Sequence, residues 1–330
     1  MEGFMRVLVT GGAGFIGHHL IEHLLINTDW EIVSLDRLDT SGNLNRLAEI
    51  LHGRHGERLR VSIIHHDLRA AFSMQLAKQI GRVDRIFHLA AATHVDRSIE
   101  QPMEFVMDNV VATCNLLDYA RTLPALDYML HFSTDEVFGP CPGTPYQEWD
   151  RYKSGNPYAA TKAGAEELCL AYANTYKLPV FITHCMNVFG ERQHPEKFIP
   201  STIMRIRNGN LVTIHSNAAK TKAGSRFYIH ARNVAAAILF LSERWERGEK
   251  YNIVGEREVD NLELAQFLAA VVGKPLRYEL VDFHSSRPGH DLRYALHGGK
   301  LAAMGWKLPV NFESSLQRTI KWTLAHEHWL

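Results

Sequence analysis

Apolar and polar positions along the first half of the chain follow two alternating rhythms. Short apolar, largely β-branched runs at Arg6–Thr10, Glu31–Leu35, Val61–His65, Arg85–His88, Tyr128–Phe132 and Val180–His184 predict strands, and their continuity fits strands covered on both faces. Between them lie longer stretches whose apolar residues recur every three or four positions, predicting helices near Phe15–Ile26, Phe72–Ile80, Pro102–Thr122 and Pro157–Tyr176. The third carries no glycine or proline after its first turn and reads as one long helix. Strands alternating with helices in this way predict an α/β fold, a Rossmann-type doubly wound parallel sheet with helices on both faces.

After Asn187 the rhythm changes, with Pro195 and Pro200, a helix-like Ser201–Arg207 and a turn at Asn208-Gly209-Asn210. Residues Ser225–Arg247 and Lys250–Val254 read as a strand-helix-strand return to the main sheet. The expected division is a Rossmann domain over 1–187, rejoined by 225–254, and a smaller C-terminal substrate-binding lobe from 188–224 and 255–330. No repeat or low-complexity linker separates them, so one cooperative body with a cleft is expected.

Composition narrows the class. The 330 residues are 46% hydrophobic and 22% charged, and 36 basic residues balance 36 acidic ones. A net charge of zero gives no general pull toward nucleic acid or an anionic membrane, so neither partner is expected. The longest apolar run, Val234–Leu241, is far too short to span a bilayer, and a strand begins at Met5 without a charged-then-apolar leader. A soluble, cytoplasmic protein is expected. Cys114, Cys141, Cys169 and Cys185 form no C-x-x-C pair, which argues against a zinc site or a disulfide framework. The 19 histidines, including His18-His19, His65-His66, His326 and His328, lack convergent carboxylate or cysteine partners. They read as core or surface residues, and no metal is expected.

The first predicted strand runs into Thr10-Gly11-Gly12-Ala13-Gly14-Phe15-Ile16-Gly17, which opens a helix. Such a turn lets the backbone approach a pyrophosphate and aims a helix N-terminus at its charge. Asp36 ends the second strand, where a carboxylate accepts hydrogen bonds from an adenosine ribose and repels a 2′-phosphate. NAD is therefore expected rather than NADP, although Arg37 stands beside it. Asp67, after the third strand, is a candidate for the adenine amino group, with a plain loop cap as the competing reading.

Tyr158 and Lys162 stand one helical turn apart on the helix that begins at Pro157. A neighbouring ammonium and a cationic nicotinamide both favour the phenolate, making the tyrosine a base for a substrate alcohol, and Lys162 can hold the nicotinamide ribose. Shortly before them, Asp135 and Glu136 follow a predicted strand in Phe132-Ser133-Thr134-Asp135-Glu136-Val137-Phe138-Gly139. An acid and a base next to each other can remove the elements of water from carbons beside an oxidised one.

With these motifs the chain resembles the extended short-chain dehydrogenase/reductase superfamily, and within it the nucleotide-sugar 4,6-dehydratases of the dTDP-glucose type. The likeness extends through Leu89-Ala90-Ala91-Ala92-Thr93-His94-Val95-Asp96-Arg97-Ser98, Pro195-Glu196-Lys197-Phe198-Ile199-Pro200 and Arg287-Pro288-Gly289-His290-Asp291-Leu292-Arg293-Tyr294. The resemblance implies that Tyr158 takes the 4-hydroxyl proton as hydride passes from carbon 4 to NAD. Glu136 then removes the hydrogen on carbon 5, Asp135 protonates the departing 6-hydroxyl, and Thr134 hydrogen-bonds the 4-oxygen. Hydride returns to carbon 6, leaving a 4-keto-6-deoxy sugar. It also implies that Gly11, Gly14, Phe15, Ile16, Gly17, Asp36, Asp67, Leu68, Tyr158 and Lys162 hold the cofactor. His94, Asn187, Lys197, Arg226, Arg287 and Tyr294 would hold the sugar nucleotide, the arginines and Asn187 on its diphosphate. A homodimer through the helices Pro102–Thr122 and Pro157–Tyr176 is implied too, with Val106, Val110 and Leu117 forming an apolar stripe that could equally face the chain's own sheet.

The chain departs from that pattern in three places. Ala92 replaces a usual glutamate near the sugar. The basic segment His215–Arg226, with Lys220 and Lys222, is longer than expected and reads first as a surface loop. Phe227-Tyr228-Ile229-His230-Ala231-Arg232-Asn233 lacks a common aspartate. The nucleoside and the hexose therefore stay open. A nucleotide-sugar 4-epimerase would need the same NAD and Tyr158 but not the acidic pair, and a non-catalytic NAD-binding regulator would need neither Tyr158 nor the pair.

Overall fold

A computed structural model describes residues 4–39, 41–283 and 292–330. Its central sheet has seven strands, β1 (Arg6–Thr10), β2 (Glu31–Asp36), β3 (Val61–His65), β4 (Arg85–His88), β5 (Tyr128–Thr134), β6 (Val180–Cys185) and β7 (Lys250–Ile253). The order across the sheet is β7-β6-β5-β4-β1-β2-β3, and every neighbouring pair is parallel. This is the doubly wound sheet that the apolar runs predict. Val7, Leu8 and Val9 are fully buried and all six residues of β6 are buried, because helices cover both faces.

The strand order reverses between β1 and β4, so the loops beyond their carboxyl ends diverge and leave a crevice, the usual ligand position in such sheets. Helix α1 (Phe15–Asn27) and the helix Ala231–Leu241 cover one face in a core with Leu20, Leu24, Phe87, Phe181 and Ile238. The helix Ala112–Ala120 and helix α2 (Pro157–Thr175) cover the other with Leu116, Leu117, Met129, Cys169 and Ile182. A separate apolar cluster, including Phe189, Ile203, Leu264, Leu268, Leu316 and Ile320, joins the helices Phe198–Arg207, Asn261–Val272 and Phe312–Ala325. A parallel pair, Val212–Ser216 with Tyr278–Asp282, flanks it.

The structure corrects the sequence expectation at several elements. Of the expected strand-helix-strand return, only Lys250–Ile253 joins the main sheet, while Ser225–Phe227 pairs antiparallel with Glu258–Asp260. β5 continues two residues further, through Ser133 and Thr134, which still pair with His184 and Cys185. The helix expected at Phe72 begins at Met74, because the Ser73 side chain accepts the Leu76 amide and sets the cap there. The long helix Pro102–Thr122 is instead α-helical over Pro102–Phe105 and Ala112–Ala120 with a π-helical wide turn at Val106–Val111 between them. That turn lets the Asn109 side chain bond both backbone groups of Ala92, at 2.8 and 3.1 Å, and Thr161 Oγ1 at 2.9 Å. Leu117 is buried against the chain's own sheet, whereas Val106 and Val110 are half-buried. Among the described residues no helix is long and apolar enough to cross a membrane, and no group of three or more His, Cys, Asp or Glu is placed to hold a metal ion.

Candidate active site

At the end of β1 the backbone turns through Gly11, whose φ of +71° favours glycine. A Cβ there would sit 2.8 Å from the Ala90 amide nitrogen. One helical turn into α1, a Cβ on Gly17 would collide with the Gly11 carbonyl, so the helix packs directly on the turn. Gly14 caps α1 without a side chain, and no acidic residue occupies the first turn. That leaves a bare helix N-terminus, a ready seat for phosphate oxygens. Phe15 and Ile16 follow as half-buried residues of that first turn. Behind them His18 and His19 are buried, bonded to the carbonyls of Gly14 and Glu191.

Asp36 ends β2 beside this turn and accepts the amides of Ala13 at 3.1 Å and Leu38 at 2.8 Å. Burial pushes its pKa up. A buried acceptor carboxylate beside a bare glycine turn fits the adenosine ribose and pyrophosphate of a dinucleotide. Asp67 accepts the Arg69 amide in its own loop, and the Leu68 carbonyl accepts from Asn115 at 2.8 Å. Both follow β3 at the carboxyl edge of the sheet.

The reactive groups gather two strands away, beyond β5. Thr134 caps a short 3-10 helix, Asp135–Phe138, by accepting the Glu136 amide at 3.3 Å, and its hydroxyl donates to Asp135 Oδ1 at 3.1 Å. Asp135 is buried, and its Oδ2 has no hydrogen-bond partner. Burial, then the Glu136 charge, raises its pKa to about 7, against a smaller pull from Arg226. Glu136 is half-buried and accepts from Asn156 Nδ2 at 3.1 Å. Two adjacent carboxyl groups thus occupy unlike surroundings, which is how one site keeps an acid and a base at the same pH.

Helix α2 brings Tyr158 and Lys162 to the same place. Asn156 caps it by accepting the Ala159 amide at 2.8 Å, Pro157 starts it, and Ser98 Oγ holds the Tyr158 amide at 3.1 Å. Tyr158 is buried, and its pKa is raised by burial and then by Glu136, partly offset by a hydrogen bond with Thr134. Lys162 donates to the Phe132 carbonyl at 2.8 Å, and burial lowers its pKa to about 8. One turn further, the fully buried Glu166 takes hydrogen bonds from Ser133 and Tyr152 and lies 3.0 Å from His184 Nε2. Sequence reasoning missed Asn156 and Glu166. The Asn-Pro pair at the helix start and a carboxylate at i+4 from Lys162 were the available signals.

The structure brings some of the expected substrate residues together. His94, cap of the helix Val95–Glu100, lies 3.7 Å from Glu196, next to Lys197. Arg226 donates to the carbonyls of Ser225 and Leu292 and lies over the buried Tyr294 ring, 4.6 Å from its centroid. Asn187 is exposed just beyond β6, and its carbonyl accepts the Ile229 amide. Arg287 lies outside the described residues. Of the departures, Ala92 packs beside Val95, Phe105 and Tyr158. Lys220 and Lys222 are exposed on a turn organised by the Asn217 side chain. Tyr228 and His230 are committed to Asn261 and Glu191 at 2.8 and 2.9 Å.

The chain is similar to known proteins over nearly its whole length. The family model described as GDP-mannose 4,6 dehydratase matches residues 8–319. The chain is 36% identical to the dTDP-glucose 4,6-dehydratase of Neisseria gonorrhoeae, over 99% of this chain and 97% of the relative. It superposes with a TM-score of 0.88 on the dTDP-glucose 4,6-dehydratase of Streptomyces venezuelae solved with NAD bound, at 36% identity and 98% coverage of both chains. The UDP-glucose 4-epimerase of Thermus thermophilus in complex with NAD follows at a TM-score of 0.85 and 28% identity, covering 96% of this chain and 98% of that one.

Proposed function

The chain belongs to the GDP-mannose 4,6 dehydratase family, and from that premise we propose that its substrate is a nucleoside-diphosphate hexose, with dTDP-glucose the first candidate. It is an NAD-dependent hydro-lyase that forms the 4-keto-6-deoxy sugar nucleotide. NAD supplies the hydride acceptor for carbon 4 and the hydride donor for carbon 6. Everything else falls to the chain. Tyr158 takes the proton of the 4-hydroxyl. Burial and the Glu136 charge disfavour its phenolate and Lys162 is engaged by the Phe132 carbonyl, so the favouring charge would come from the nicotinamide when NAD is bound. Thr134 hydrogen-bonds the 4-oxygen. The ketone at carbon 4 acidifies carbon 5, and Glu136, oriented by Asn156, takes the proton there. Asp135 gives its proton to the 6-hydroxyl, which leaves as water. Return of hydride to carbon 6 and of a proton to carbon 5 completes the balance, and the net change is loss of one water.

The observation that carries this reading is the split environment of the acidic pair: Asp135 buried with one unpartnered oxygen, Glu136 half-buried on Asn156. A 4-epimerase has no use for a protonated carboxyl at this place. Gly11, Gly14, Phe15, Ile16, Gly17, Asp36, Asp67, Leu68, Tyr158 and Lys162 are the residues we assign to NAD. Arg226, stacked on Tyr294, is assigned to the diphosphate with Arg287 and Asn187, and His94 and Lys197 to the sugar-nucleotide mouth. The helix Ala231–Leu241 and the strand Lys250–Ile253 then belong with 1–187, whereas Ser225–Phe227, paired with Glu258–Asp260, goes with 188–224 and 255–330 in the substrate lobe. Val106 and Val110 stay half-buried, Val110 lying toward Gly164 of the chain's own α2, and a homodimer through the wide-turn helix and α2 is assigned on the family resemblance. The four free cysteines fit a reducing cytoplasm.

Incubation with dTDP-glucose, UDP-glucose, UDP-N-acetylglucosamine, CDP-glucose and GDP-mannose in heavy water, followed by mass spectrometry, tests the reading. Loss of one water with one deuterium at carbon 5 is expected from one of them and names the substrate. An isomer of unchanged composition would mean epimerisation instead.

A further inference from the structure

Arg37 follows Asp36 directly, at the ribose end of the crevice, where a free guanidinium would be the natural partner of an NADP 2′-phosphate. Its surroundings prevent that use. The two terminal nitrogens of Arg37 meet both oxygens of Asp108, at 2.5 and 2.8 Å, while Nε donates to Asp39 at 2.6 Å. Asp67 lies 4.0 Å away. Asp108 is the more buried partner, its side chain 8% exposed against 29% for Arg37, and it also accepts from Arg69 Nε at 2.6 Å. Arg69 is in turn bonded to Glu104. Although burial pushes the Asp108 carboxyl up, the two guanidiniums hold it below its ordinary range.

We infer that Asp108, assisted by Asp39, selects NAD over NADP by holding the Arg37 guanidinium away from the ribose 2′ position. This rests on the dinucleotide reading above and adds a positioning residue to it. For Arg37 to turn toward a 2′-phosphate it must abandon a bidentate pair and leave a buried carboxylate one partner short, a cost paid only by the phosphorylated dinucleotide. Asp108 reaches Arg37 from the wide turn whose next residue, Asn109, fixes Ala92 and Thr161. One irregular turn therefore serves the adenosine end and the reactive end of the crevice together.

The test is a competition that does not read turnover. The protein is equilibrated with equal concentrations of NAD and NADP and gel-filtered, and the retained dinucleotides are counted by mass spectrometry. The wild type retains NAD. Asp108→Asn raises the NADP share by about tenfold, the scale of one good charge-assisted contact. Arg37→Ala alone leaves the wild-type ratio, and adding Arg37→Ala to Asp108→Asn erases the gain. Asp108→Ala, which suits a helix, repeats the result if the amide distorts the turn. An unchanged ratio in both Asp108 variants, or a gain that persists without Arg37, overturns the inference while leaving the NAD reading intact. A wild type that retains NADP as readily as NAD overturns both.

Discussion

The turn after β1 and the turn after β5 lie two strands apart at the same edge of one sheet, yet they hold their functional groups by different means. The first is made of backbone: glycines that leave no room for a Cβ, an uncapped helix N-terminus, and a carboxylate braced by two amides. The second is made of side chains, each fixed by another buried side chain: Asp135 by Thr134, Glu136 by Asn156, and Ser133 by Glu166. A backbone site presents fixed dipoles to a fixed anion. A side-chain site can set two carboxyl groups to different protonation states, which elimination requires.

The comparison predicts where damage shows. Tyr158→Phe removes the base itself and lowers kcat by about 10³-fold, within the range for general acid–base groups. NAD is still retained through the glycine turn, Asp36 and Lys162, as mass spectrometry of the purified variant would show. Gly17→Ala attacks the backbone site instead. The new methyl drives into the Gly11 carbonyl, so the expected loss is dinucleotide retention, with a stability cost of about 1–3 kcal/mol measured by denaturant unfolding. Asn156→Ala removes both the α2 cap and the Glu136 partner, for about 1 kcal/mol of stability and a loss of kcat on the order of tenfold.

The smallest effects are those of pH. Asp135 must carry a proton to protonate the leaving hydroxyl, so activity falls as pH rises through about 7, and again as Lys162 loses its charge near 8. The raised carboxyl also has a stability consequence. Its folded pKa lies above the unfolded value of 3.8, so stability present at low pH is lost as pH rises toward about 7. Asp135→Asn escapes that loss. Its Tm should match the wild type near the unfolded pKa and exceed it by a few degrees above the folded one, as thermal scans across that window would show.

Most of the sheet was legible because strands buried on both faces read as unbroken apolar runs. The end of β5 was not, since Ser133 and Thr134 are polar. They stay in the ladder through pairing with His184 and Cys185 and through the Ser133 bond to Glu166. The wide turn at Val106–Val111 left no sign for a related reason. It goes with an asparagine reaching Ala92 and Thr161, 17 and 52 residues away, and no local glycine or proline marks it. The motifs around Gly11–Gly17 and Tyr158–Lys162 were readable because each is contiguous on one turn or helix. Arg226 and Tyr294 meet from segments far apart in sequence, so their partnership needed the fold.

The most direct test of the account is a single-turnover experiment on the double variant Asp135→Asn/Glu136→Gln with the chain's sugar-nucleotide substrate, following reduced nicotinamide and product mass together. Oxidation at carbon 4 uses Tyr158 and should still reduce the bound NAD, while formation of the dehydrated sugar falls by about 10²-fold or more. Dehydration at the wild-type rate in that variant would contradict the assignment of acid and base to this pair.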